Sequence, residues 1–195
     1  MRTILFISLC LFLFLPLTAA AHPHVFVDNH MAFDFDAKGI AGIEVMWVFD
    51  DMFSAGILLD YDDGDGFLSA QEIRAIKAEA FDNLKEYGFF FRIQIDGNLF
   101  PVKFITDFTA AVRGGALVYR FTVPCHVSAA ATPKVIDVLV EDETNFVSIM
   151  TKKSAISVAS AGVPFDLKFT YAPAPYFLQL ESADAVGSVR IQFSQ

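Results

Sequence analysis

The chain has 195 residues, 54% of them hydrophobic, with 22 Phe but only 11 Gly and 8 Pro. That composition excludes disorder, collagen-like repeats and low complexity, and the length sets one domain with a sizeable core as the expectation. Its 14 basic residues are scattered among 23 acidic ones, for a net charge of −9; nucleic acid, which needs clustered Lys and Arg, is excluded as a partner, and cations are favoured.

In chain order, the first segment reads as a secretory signal peptide over 1–21. Arg2 precedes an apolar run from Ile4 to Leu17, and Ala19, Ala20 and Ala21 supply the small residues a signal peptidase inspects. The run of 14 residues is shorter than the roughly 20 of a membrane-spanning helix. Cleavage after Ala21 leaves His22 as amino terminus and 22–195 as a single exported domain, expected in the periplasm and meeting a membrane only through a partner. Cys10 is discarded with the signal. Cys125 is then alone, so no intramolecular disulfide is expected.

The mature chain opens with a period of two. Val25, Val27, Met31, Phe33 and Phe35 are apolar while His22, His24, Asp28, His30, Asp34 and Asp36 are polar, the pattern of a half-buried strand, with Phe26 and Asn29 as exceptions. Asp36 to Gly39 is turn chemistry, and Ile43, Val45, Trp47 and Phe49 resume the apolar face, predicting a hairpin. Phe49, Met52, Phe53, Ile57 and Leu58 then suggest a helical stripe, followed by the acidic, Gly-rich segment from Asp60 to Gly66. Ser69 and Glu72 form a capping box for a second helix, whose stripe is Ile73, Ile76, Ala80, Phe81 and Leu84, up to Gly88. Strands are predicted around Phe91 to Ile95, on both sides of Gly114 and Gly115, and over 134–140, 145–150, 163–171 and 186–193, with a surface connection at Pro173 to Pro175. The fold class is therefore α+β: an antiparallel β-sheet or sandwich with an inserted EF-hand-like helix-loop-helix at about 49–88.

Two clusters carry metal chemistry. Gly66, Leu68 and Glu72 fall where a calcium-binding EF-hand loop places its turn glycine, apolar anchor and bidentate glutamate, and Asp63 and Asp65 take the third and fifth ligand positions. The first position holds Tyr61, flanked by Asp60 and Asp62. Either a one-residue insertion lets one of those aspartates serve, or the helix pair persists without an ion. The second cluster is His22, His24, Asp28 and His30 on one strand face, where neutral imidazoles and a terminal amine suit borderline transition metals such as nickel, cobalt or zinc. Neighbours two residues apart lie about 6.6 Å apart, so His22 with His24 is the best small set.

Enzyme chemistry finds little support. Cys125 and His126 are adjacent on a strand and face opposite ways, so they do not form a nucleophile and base. An amino-terminal histidine is half of a copper brace, with His24, His30 or His126 as the second ligand. Asp50, Asp51 and Asp107 read as helix-end or turn residues. The chain is expected not to be an enzyme.

His22 to Asp28, Trp47 to Ser54, the acidic loop, and Glu141 to Val147 together resemble a bacterial periplasmic family of unknown function, labelled a periplasmic component of an uncharacterised ABC-type transport system. The resemblance covers most of the mature chain. It implies export and, through frequent neighbourhood to nickel and cobalt permease genes, a partner in an inner-membrane metal permease or ABC-type transporter; no catalytic residues come with it. Two functional expectations follow: a metal-binding accessory of transition-metal transport, or a calcium-stabilised structural or interaction module of the envelope.

Overall fold

The hairpin anticipated from Val25 onward forms as strands β1 (Val25–Asp36) and β2 (Gly39–Phe49), paired antiparallel with Val27 opposite Phe49. A computed structural model describes residues 23–159, 164–173 and 187–195. The segment expected to be a signal peptide, His22 and the connection expected beyond Pro173 lie outside them. All five odd-numbered apolar positions of β1 are buried. In the turn, Asp36 Oδ1 accepts from the N–H groups of Lys38 (2.7 Å) and Gly39 (3.0 Å). Gly39 is required by close approach, since a Cβ there would stand 2.1 Å from the Val127 carbonyl oxygen.

Helix α1 (Asp51–Tyr61) begins where Asp50 Oδ1 accepts from the Phe53 N–H (2.9 Å). This cap corrects the helical stripe expected from Phe49: Phe49 ends β2, and Met52 is 69% exposed, leaving Ser54 and Ile57 as the buried positions. After the acidic loop, helix α2 (Ala70–Ile76) carries the expected capping box. It then widens into a π turn over Lys77–Phe81 and continues as a 3-10 segment over Asp82–Phe90 that kinks where Tyr87, Gly88 and Phe89 leave helical geometry. The widening has a packing reason. Residues five apart in an α-helix lie about 140° apart around the axis, whereas an i→i+5 turn returns them to one side. Ile76 and Phe81 are both fully buried.

Strands β3 (Phe91–Ile95), β4 (Asn98–Phe100), β5 (Thr106–Arg113), β6 (Ala116–Ser128), β7 (Lys134–Val140), β8 (Val147–Val158), β9 (Asp166–Pro173) and β10 (Gly187–Ser194) follow. With β1 and β2 they make, among the described residues, two five-stranded sheets, in the orders β5-β6-β2-β1-β8 and β4-β3-β7-β10-β9. The sheet-rich α+β class therefore holds, with two layers and a helix-loop-helix between β2 and β3. The antiparallel expectation is corrected at one seam: β1 pairs parallel with β8, Val25 opposite Val147. One core joins Phe33, Trp47 and Phe121 to Phe81 of the helical segment and to Ile93, Val138 and Ile191 of the other sheet. Among the described residues, no helix is long and apolar enough to cross a membrane.

Candidate functional site

The acidic loop joins the end of α1 to the start of α2, and its local hydrogen bonds follow from the sequence. Asp62 caps α1, its N–H donating to the Leu58 carbonyl (2.9 Å). Gly64 and Gly66 take left-handed backbone conformations (φ 96° and 78°), which lets the chain reverse in a few residues. Asp63 Oδ1 accepts from Asp65 N–H (3.2 Å) and Asp65 Oδ1 from Phe67 N–H (2.7 Å). Glu72 reaches back along the loop: Oε2 accepts from Ser69 N–H (2.6 Å) and Oε1 from Asp63 N–H (3.0 Å). Hydrogen bonding to Ser69, side chain first and backbone second, holds the Glu72 carboxyl below its usual range against a small opposing effect of burial, with the Asp63 N–H adding to the lowering.

The outcome is that Asp62, Asp63 and Glu72 converge, each offering a carboxylate oxygen within 4.8 Å of the others. Asp62 Oδ1 is shielded from solvent and has no hydrogen-bond partner among the described residues. Of the two aspartates flanking Tyr61, it is thus Asp62 that joins the group. Asp60 remains exposed on the last turn of α1, and Asp65 is exposed outside the group.

The histidine face is more dispersed. His24 is exposed, its N–H donates to the Phe146 carbonyl (2.9 Å), and its ring lies 5.2 Å from that of Phe146. Asp28 is ion-paired with Lys152 (3.2 Å), and His30 is half-buried opposite Met46. Among the described residues these three do not gather within ligand distance of one another; His22 lies outside those residues. Cys125 is buried while His126 is exposed, the opposed facing expected of strand neighbours, and burial pushes the Cys125 thiol up to about 11. Asp107 is an exposed strand residue accepting from the Thr106 hydroxyl (2.7 Å).

A feature that sequence reasoning missed is an aromatic cleft of about 310 Å³. It assembles where three separate stretches meet: Val25 and Val27, then Trp47, Phe49 and Phe53, then Asp142, Thr144, Phe146 and Val147, closed by Phe81, Leu84 and Phe90 from the helical segment. Two hydrogen bonds tie the first two stretches together, Phe26 N–H to Asp50 Oδ2 (2.6 Å) and Asp50 N–H to the Phe26 carbonyl (3.0 Å). The third is shaped by Asp142, whose Oδ1 accepts from Thr144 N–H (2.9 Å) and whose Oδ2 accepts from Val147 N–H (3.0 Å). Its sequence signal is the aromatic run Trp47, Phe49 and Phe53, which periodicity divided between a strand face and a helical stripe.

Asp50 therefore couples β1 to α1. Burial pulls its pKa up, but the N–H groups of Phe26, Phe53 and Met52 outweigh this and leave it lowered. The stability it contributes is complete above the unfolded aspartate value near 4 and is lost as pH falls through the lower folded value. Asp50→Ala should cost about 1 to 2 kcal/mol in urea unfolding at neutral pH. That deficit should shrink as pH falls below about 4; a deficit independent of pH would contradict the assignment.

The three stretches that build the cleft fall in three of the four that carry the resemblance noted above, the acidic loop being the fourth. The chain belongs to the family described as Protein of unknown function (DUF1007), matching it over residues 7–183. It is also similar to an uncharacterized 15.5 kDa protein in the trpE 3′ region of Spirochaeta aurantia, with 31% identity over 111 residues, 54% of this chain and 78% of that relative.

Proposed function

We propose that the protein is a non-enzymatic, divalent-cation-binding accessory of the cell envelope, exported to the periplasm, and that its helix-loop-helix is an EF-hand-like calcium site. The observation that carries this reading is the convergence of Asp62, Asp63 and Glu72 with an unpartnered Asp62 oxygen among them. Three carboxylates so close repel one another, and a hard divalent cation relieves that repulsion. Together they offer six oxygens, the lower end of a calcium shell. Asp62 replaces the missing first-position aspartate one residue late, and a bound ion would fasten the end of α1 to the start of α2.

A second ion accompanies this reading. Three of the four histidines lie within nine residues, and His24 is exposed at the start of β1. With His22 as a free terminus, His22 and His24 would take nickel, cobalt or zinc, passed to an inner-membrane permease or ABC-type transporter as the partner served.

Calorimetric titration of the processed protein tests both. Calcium at an affinity typical of extracellular sites should, at about 10 mM, stabilise the fold by roughly 1.4 to 2.7 kcal/mol. Glu72→Gln should weaken calcium binding about tenfold or more and Asp63→Asn less, because the glutamate position supplies two oxygens. His22→Ala with His24→Ala should abolish nickel binding and leave calcium binding unchanged. A melting temperature indifferent to millimolar calcium would reduce the loop to architecture.

A further inference from the structure

The aromatic cleft raises a question that the cation loop does not answer. Tyr119 forms part of its wall and is only 2% exposed, yet its hydroxyl is buried with no hydrogen-bond partner among the described residues. Such an orphan costs about 1 to 3 kcal/mol, and buried polar groups are nearly always paired. Burial, with a smaller effect of Tyr61, raises the pKa of Tyr119 far above the usual phenol range, so the group stays a neutral hydroxyl that both donates and accepts.

The rest of the lining defines what the cleft would hold. Trp47, Phe53, Phe81 and Phe90 present aromatic rings, and none of the lining residues is Lys, Arg or His. Tyr87 and Phe146, 60% and 53% exposed, stand at the mouth. The one charged group in the lining is the Asp142 carboxylate, held in place by Thr144 and Val147. Aromatic faces carry negative potential, so with a carboxylate and no basic side chain the cleft attracts positive charge and repels anions. Its volume is about twice that of a cavity of roughly 150 Å³ that accepts benzene.

We propose that this cleft binds a small organic cation, an ammonium group carried on an aromatic or branched apolar body, with the aromatic rings of the lining and the Asp142 carboxylate as its partners. The site is distinct from the calcium loop, no residue of which lines it.

Trp47 is the only tryptophan in the chain and lines the cleft, so its fluorescence reports occupancy directly. The processed protein, in calcium throughout, is titrated with phenethylammonium, 2-phenylethanol and phenylacetate. The expected result is a saturable change with phenethylammonium, weaker binding of the neutral alcohol, and about tenfold or weaker binding of the anion. Tyr87→Leu, which keeps an apolar side chain at the exposed mouth but removes its ring, should weaken phenethylammonium about two- to fivefold. Asp142→Asn should erode the preference for cation over anion; because Asp142 also shapes its loop, added salt on the wild-type protein reads the same preference. No saturable response to phenethylammonium, equal affinity for all three probes, or unchanged affinity in Tyr87→Leu would each overturn the proposal.

Discussion

Asn29→Leu should destabilise the protein by about 2 to 4 kcal/mol, although the substitution places an apolar side chain in an apolar core. Asn29 is 1% exposed on the inward face of β1. Its Oδ1 accepts from the indole Nε1–H of Trp47 (3.0 Å), and its Nδ2 donates to Thr151 Oγ1 (2.8 Å) on β8. Leucine fills the space but strands the indole donor and the threonine hydroxyl away from water. For a domain of this length the thermal midpoint should fall on the order of 10 °C. Trp47→Phe removes the stranded donor, so the double variant should lose less than the sum of the two single losses. A loss under about 0.5 kcal/mol in Asn29→Leu would mean that water or another group satisfies the indole.

That same asparagine marks where the sequence stops being legible. The period of two places β1 and β2 because one face of the hairpin is buried, and the Ser69 and Glu72 pair locates α2 because capping is a local interaction. Asn29 breaks the alternation, and nothing within its own strand explains why. Its partners are 18 and 122 residues away. The parallel pairing of β1 with β8 is hidden for the same reason, since register between distant strands is fixed by the assembled core. The acidic loop was half legible: residue types and spacing identified the calcium-like pattern, but the choice of Asp62 over Asp60 depends on where α1 unwinds. The histidine face was legible only as a strand face, because alternation gives direction and not proximity. The cleft was least visible, being built from apolar positions of separate elements.

Phe81→Ala should be the most damaging single change in the helical segment, at about 3 to 5 kcal/mol. Phe81 is fully buried, with its ring centroid 4.5 Å from Phe108, 5.2 Å from Phe121, 5.6 Å from Phe89, 5.7 Å from Tyr119 and 6.1 Å from Trp47. Those rings belong to β2, β5, β6 and the end of the helical segment, so Phe81 fastens the insertion to the sheet. Phe81→Leu keeps most of the apolar volume and should cost about 1 to 2 kcal/mol. The difference between the variants separates two pictures of the insertion. If the helix-loop-helix is an integral part of the core, wild-type Trp47 fluorescence and far-ultraviolet dichroism should report one coincident unfolding transition, and Phe81→Ala should move both together. An autonomous module would instead give two transitions, and Phe81→Ala would leave the Trp47 transition where it was. The integral arrangement has a consequence for the calcium binding proposed at the acidic loop: because Phe81 lies 9 residues beyond Glu72 on the same helical segment, an ion that orders the start of α2 would stabilise the whole domain through that ring. Calcium should therefore raise the single wild-type transition, and its effect on Trp47 should diminish in Phe81→Ala, where the mechanical link between loop and sheet has been removed.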